Sequence, residues 1–199
     1  MSFGRLRSRR FVLRRPGADG GRRRLSDLVR AIGWTPTDAH LPGRTDPEQV
    51  WRVAEDVTFH HVLDQRSGLA YVEVRGSDSD RMREALERVR PSLEVRSQSE
   101  LLEALWSNHD ETELPAALLA AGLGAPLRFA EDLFLPVSQA LDHPDPGIRE
   151  AALWALAYTE WPEWRTVVTP LGDTDPDPRI KAIAHQIVEL FDELTGGRA

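Results

Sequence analysis

Leu141-Asp142-His143-Pro144-Asp145-Pro146-Gly147-Ile148-Arg149-Glu150-Ala151-Ala152 has a counterpart further along the chain, Leu171-Gly172-Asp173-Thr174-Asp175-Pro176-Asp177-Pro178-Arg179-Ile180-Lys181-Ala182-Ile183-Ala184. The Asp-Pro-x-Ile-Arg/Lys cores lie 32 residues apart, whereas the leucines that end the preceding helices lie 30 apart. The second turn is two residues longer, and an insertion confined to a turn leaves both helical hairpins intact.

Each position in the core has a physical reason. Asp145 and Asp177 can accept the orphan amide hydrogens of a helix start, and Pro146 and Pro178 suit the first helical turn. Ile148 and Ile180 are expected to point back toward the preceding helix, and Ala152 and Ala184 to permit close helix contact. Arg149 and Lys181 should lie over the turns, within reach of the neighbouring aspartates. Helices are predicted over 129–141, 146–159, 162–171 and 178–194. A hairpin of this kind leaves apolar area uncovered when alone, so stacking against a neighbour is the expected solution.

These segments resemble HEAT repeats, whose second helices begin with an aspartate, a proline and a hydrophobic-basic pair followed by alanine. The resemblance covers roughly Phe129 to Leu194, and the helices from Ser99 to Ala121 read as a degenerate earlier unit. It implies a short right-handed α-solenoid, with an unrelated helical bundle as the alternative. It says little about function, because such repeats resemble scaffolds, adaptors, immunity-type inhibitors and enzyme-associated subunits alike.

Upstream the period differs. Asp46-Pro47-Glu48-Gln49 reads as a helix start, with the helix ending near Glu55. Val57 to Leu63 alternates as a strand, Leu69 to Arg75 as a second, and residues 64–68 have the length and glycine of a hairpin loop. A short helix with Leu25, Leu28, Val29 and Ile32 on one stripe should stop at Gly33, and Trp34 to Arg44 reads as loop. Ser77 to Asp80 can cap a helix carrying Met82, Ala85, Leu86 and Val89, which Pro91 ends. Leu93 to Arg96 is a third strand candidate. The expected fold class is α+β: an N-terminal two-layer α/β unit of order αββαβ over 25–97, then a helical repeat domain over 98–199. Residues 1–24 read as a largely flexible arginine-rich arm, apart from an extended piece at Phe11 to Leu13.

Charge is divided along the chain. Residues 1–30 hold ten arginines against Asp19 and Asp27, a net +8, so the remainder carries -15 of the total of -7. An apolar fraction of 41% and a charged fraction of 29% place the chain in the globular range. The absence of cysteine excludes disulfides, thiolate zinc sites and cysteine nucleophiles. With no long apolar window and no leader-like start, a soluble cytoplasmic protein is expected.

Three functional readings follow. The leading one is a non-enzymatic protein–protein interaction or adaptor module that uses the helical-repeat surface, with Trp161, Trp164 and the intervening Glu163 as partner-binding candidates. The tryptophans flank Pro162 and Glu163 and are expected to reach solvent, whereas Trp154 sits among core-like alanines and leucines. The second is nucleic-acid binding through Arg9, Arg10, Arg14, Arg15, Arg22, Arg23 and Arg24, competing with a solvated tail or internal docking. The third is an enzyme with its site between the α/β unit and the repeats. No cofactor is expected and the oligomeric state is left open. His60 and His61 should face opposite sides of a strand, which disfavours a shared metal site, and Asp173 to Asp177 matches only half of a calcium loop.

Overall fold

The computed structural model describes residues 6–14, 21–37, 46–107 and 111–196. The chain divides into two compact units, Met1–Arg96 and Ser97–Ala199.

The first unit is built on an open antiparallel sheet. Its strands are β1 (Leu6–Arg7), β2 (Phe11–Val12), β3 (Thr35–Thr37), β4 (Glu48–Arg52), β5 (Val57–Leu63) and β6 (Ala70–Gly76), with α1 (Arg22–Ile32) after β2 and α2 (Ser79–Val89) after β6. β1 and β2 both pair with β6, which pairs in turn with β5, then β4, then β3 at the far edge. The β5–β6 hairpin runs in register from Val57↔Gly76 to Leu63↔Ala70. Its turn is held by Asp64, whose carboxylate accepts the Ser67 backbone N–H at 2.7 Å, and by Gly68, whose φ of 68° favours glycine.

Alternation divides the strands between two faces. Val57, Phe59, Val72 and Val74 join Leu25 and Val29 of α1 and Met82, Ala85 and Val89 of α2 in one buried core. Both helices follow the expected stripes: α1 stops at Gly33 (φ 88°), and α2 is capped by Asp78, whose carboxylate accepts the Asp80 and Arg81 amides at 2.9 and 3.1 Å.

Several expectations are corrected here. Glu48–Arg52 is a strand and not a helix. Asp46 does not cap its own segment: its carboxylate accepts the Gln65 amide of the β5–β6 turn at 3.1 Å, while the Pro47 carbonyl accepts the Leu63 amide at 3.0 Å. Pairing with β5 satisfies the backbone that a helix would have satisfied internally. The arm expected to be flexible is in part an edge of the sheet: Leu6–Arg7 pairs with β6, and the extended piece expected at Phe11 to Leu13 is present as β2. Thr35–Thr37, expected in a loop, pairs with β4. Among the described residues, the expected αββαβ order is thus replaced by six strands and two helices. Leu93–Arg96 forms a single bridge, Leu13↔Val95, in place of a full third strand.

The second unit is helical: α3 (Gln98–Ser107), α4 (Leu114–Leu123), α5 (Glu131–Gln139), α6 (Pro146–Thr159), α7 (Arg165–Val168), α8 (Leu171–Thr174) and α9 (Pro178–Gly196). The predicted helix over 162–171 is broken into a 3-10 turn at Pro162–Trp164 followed by α7 and α8. Asp145 caps α6, accepting the Gly147 and Ile148 amides at 2.6 and 3.3 Å, and Asp177 accepts the Arg179 amide at 2.8 Å. Lys181 donates to the Asp173 carbonyl at 2.7 Å, over the turn as expected. Ile148 and Ile180 are both buried, and α6 packs against α9. α4 crosses α6 so closely that a Cβ on Gly122 would lie 2.3 Å from the Ala155 carbonyl oxygen. Among the described residues no helix is long and apolar enough to cross a membrane.

Candidate protein-binding groove

Between α6 and α9 lies a groove of about 160 Å³ lined by Trp154, Ala157, Glu160, Trp164, Ile187, Leu190 and Phe191. Helical spacing assembles it. Trp154 and Ala157 share one face of α6, and Ile187, Leu190 and Phe191 share one face of α9. The 3-10 turn at Pro162–Trp164 folds Trp164 in to meet Phe191 edge to face, with ring centroids 4.8 Å apart at 72°. Trp154 is half-buried and Leu190 is 46% exposed, so apolar surface remains open to solvent. Trp164 is fully buried, and its indole N–H has no acceptor among the described residues.

The surroundings are acidic. The second unit carries 18 aspartates and glutamates against 6 arginines and lysines, a net charge of -12. Glu160 and Glu163 are exposed at and beside the groove. Asp192 is already neutralised: it is clasped by Arg165, and those hydrogen bonds hold its carboxyl below the usual carboxylate range and raise the guanidinium.

The tryptophan assignments are inverted relative to sequence. Trp161 and Trp164, expected at the surface, are 2% and 1% exposed, while Trp154, expected in the core, borders the groove. Trp161 donates its indole N–H to the Pro126 carbonyl at 3.2 Å and packs on Phe129 at 5.4 Å, a structural role. Of the three candidates, Trp164 lines the groove, Glu163 is exposed beside it, and Trp161 is not among the lining residues. Leu190 and Phe191 were missed, and the signal for them was present in the i, i+3, i+4 spacing from Ile187.

The arginine candidates are dispersed among structural contacts in the first unit. Arg9 lies over the Phe11 ring at 5.6 Å, and burial, followed by the charge of Arg90, lowers its pKa. Arg10 is buried, 3.7 Å from Glu73 and over Tyr71. Arg14 donates to the Val95 carbonyl at 3.2 Å. Arg22, Arg23 and Arg24 form the first turn of α1, with Arg24 paired to Glu94 at 2.7 Å. Arg15 lies outside the described residues.

A polar chain that sequence reading missed crosses β4 and β5. Glu48 Oε1 lies 2.7 Å from His60 Nδ1, and His60 Nε2 lies 2.7 Å from Thr58 Oγ1. Carboxylate, imidazole and hydroxyl in that order resemble an acid–base relay. The carboxylate and ring side chains are only 2% and 3% exposed, however, so the chain serves to satisfy buried polar groups and fix the register of the two strands. His61 falls on the opposite face, as expected, and is likewise buried. Among the described residues no three histidines, aspartates or glutamates are placed to hold a metal. In the calcium-like turn, Asp175 is held by Arg149 and Asp177 by the start of α9.

No family model matches the chain, and neither the curated proteins nor the solved structures contain a match.

Proposed function

We propose that this protein is a non-enzymatic interaction module whose helical unit, a short right-handed HEAT-like solenoid, receives a segment of another protein in the α6–α9 groove. The observation that carries the reading is the partly exposed apolar lining, Trp154 and Leu190 above all, set in a strongly acidic unit. Large apolar side chains bordering a concave, water-accessible site are the usual anchors of protein recognition. The repeat pattern supports it too, since Ile148 and Ile180 are buried where stacking requires. The burial of Arg10 beside Glu73 removes that arginine from any nucleic-acid surface and favours protein as the partner class.

The test is affinity purification from native extract with the full chain and with a Trp154→Ala/Leu190→Ser double variant. The expected result is a protein recovered in stoichiometric amount by the unaltered chain and lost with a variant that keeps its circular dichroism and melting temperature. Equal recovery by both chains overturns the groove as the binding surface.

A further inference from the structure

The groove's dimensions and surroundings specify more than a generic partner. Resting on the protein-binding reading, we propose that its occupant is a short cationic segment bearing one large aliphatic or aromatic side chain. Size comes first. A volume of about 160 Å³ is smaller than the roughly 300–1,000 Å³ typical of small-molecule pockets, and it suits a single anchoring side chain. The lining comes second. Trp154, Ala157, Trp164, Ile187, Leu190 and Phe191 are all apolar, so the anchor inserted among them is apolar as well.

Charge decides the flanks. Among the described residues Glu160 is the one acidic member of the lining, Glu163 is exposed on the adjoining turn, and the unit as a whole is at -12. A field of that sign draws cationic segments in and repels anionic ones. Glu160 carries a second mark. It ends α6 at φ 58° and ψ 22°, and it is the one non-glycine residue at positive φ among those described. Glycine fits that left-handed position without steric cost, so a glutamate there sits against the local backbone preference.

The experiment uses the full chain and three fluorescently labelled peptides read by anisotropy. One is lysine- and arginine-rich with a central leucine, the second has that leucine replaced by alanine, and the third keeps the leucine but carries glutamates in place of the basic residues. The first is expected to bind about tenfold more tightly than either of the others, and to weaken as salt is raised. Glu160→Gln should weaken the first peptide about threefold and flatten its salt dependence, and Leu190→Ser should abolish the difference between leucine and alanine peptides. Equal binding of the basic and acidic leucine peptides, both lost in Leu190→Ser, overturns the cationic assignment and leaves the groove in place. If the basic leucine peptide binds no more tightly than its alanine counterpart, both the assignment and the groove's role are overturned. Leu190 is exposed, so its serine variant is expected to fold, and an unchanged melting curve verifies this.

Discussion

Arg149, in the first turns of α6, and Asp175, in the turn before α9, form a buried fork-to-fork pair: Nε donates to Oδ2 and Nη2 to Oδ1, each at 2.8 Å. The remaining guanidinium nitrogen donates to the His143 and Pro144 carbonyls at 2.9 and 3.0 Å. One side chain therefore ties the turn that starts the first repeat core to the turn that starts the second. Its loss should be felt in both.

Asp175→Ala leaves the Arg149 guanidinium buried without its carboxylate partner, with only the His143 and Pro144 carbonyls as acceptors. The expected cost is about 3–5 kcal/mol, read as a lowered urea midpoint. A change below about 1 kcal/mol in equilibrium unfolding would show that the pair is no more than a surface contact.

Acid should weaken the same link. Hydrogen bonds from Arg149 hold the Asp175 carboxyl below the usual carboxylate range, against the opposing effect of burial. Because the folded value is depressed, the stabilisation is complete above the unfolded pKa of about 3.9 and is lost as pH falls through the folded value. Asp177 and Asp192 are depressed as well, through Arg179 and Arg165. Urea midpoints should hold steady from roughly pH 7 to pH 5 and fall below about pH 4, and Asp175→Asn should start lower and fall less steeply.

Two glycines sit against helices, with different consequences when filled. Gly122→Ala drives a methyl into the Ala155 backbone, which cannot rotate away, so α4 and α6 must separate. A loss of about 2–3 kcal/mol is expected. Gly172→Ala meets the His185 ring at 2.6 Å, and a side chain can turn aside. Thermal melts of the two variants should rank Gly122→Ala as clearly the worse, and the reverse order would contradict the crossing geometry.

Glu160→Gly relieves a left-handed residue at the end of α6 while making the unfolded chain more flexible. The two effects nearly offset, with the left-handed penalty the larger, for a gain of about 0.5 kcal/mol in chemical denaturation. A clear loss of stability would show that the carboxylate contributes to the fold itself.

Sequence made the C-terminal helices legible because their logic is local. Asp145 and Asp177 cap amides two or three residues away, and the stripe containing Ile148 and Ile180 follows helical spacing. What failed was decided at a distance. Asp46-Pro47-Glu48-Gln49 has every local mark of a helix start, yet Asp46 is taken up by Gln65, 19 residues on, and Glu48 by His60 across the sheet. Leu6 and Arg7 lie in an arginine-rich stretch and find their partners in Gly76 and Arg75. The flanking Pro162 and Glu163 point to exposure of Trp161 and Trp164. A 3-10 turn directs both indoles inward, and the acceptor that accommodates Trp161 is a carbonyl 35 residues away, which no local pattern reveals.

The outermost strand of the sheet, Thr35–Thr37, is three residues long and has Pro36 at its middle. A proline has no amide hydrogen to offer, and so short a ribbon gives an incoming β-segment little to template on. On that side the described strand resists runaway edge-to-edge polymerisation, because an incoming chain finds too few free amides along it to extend the ladder.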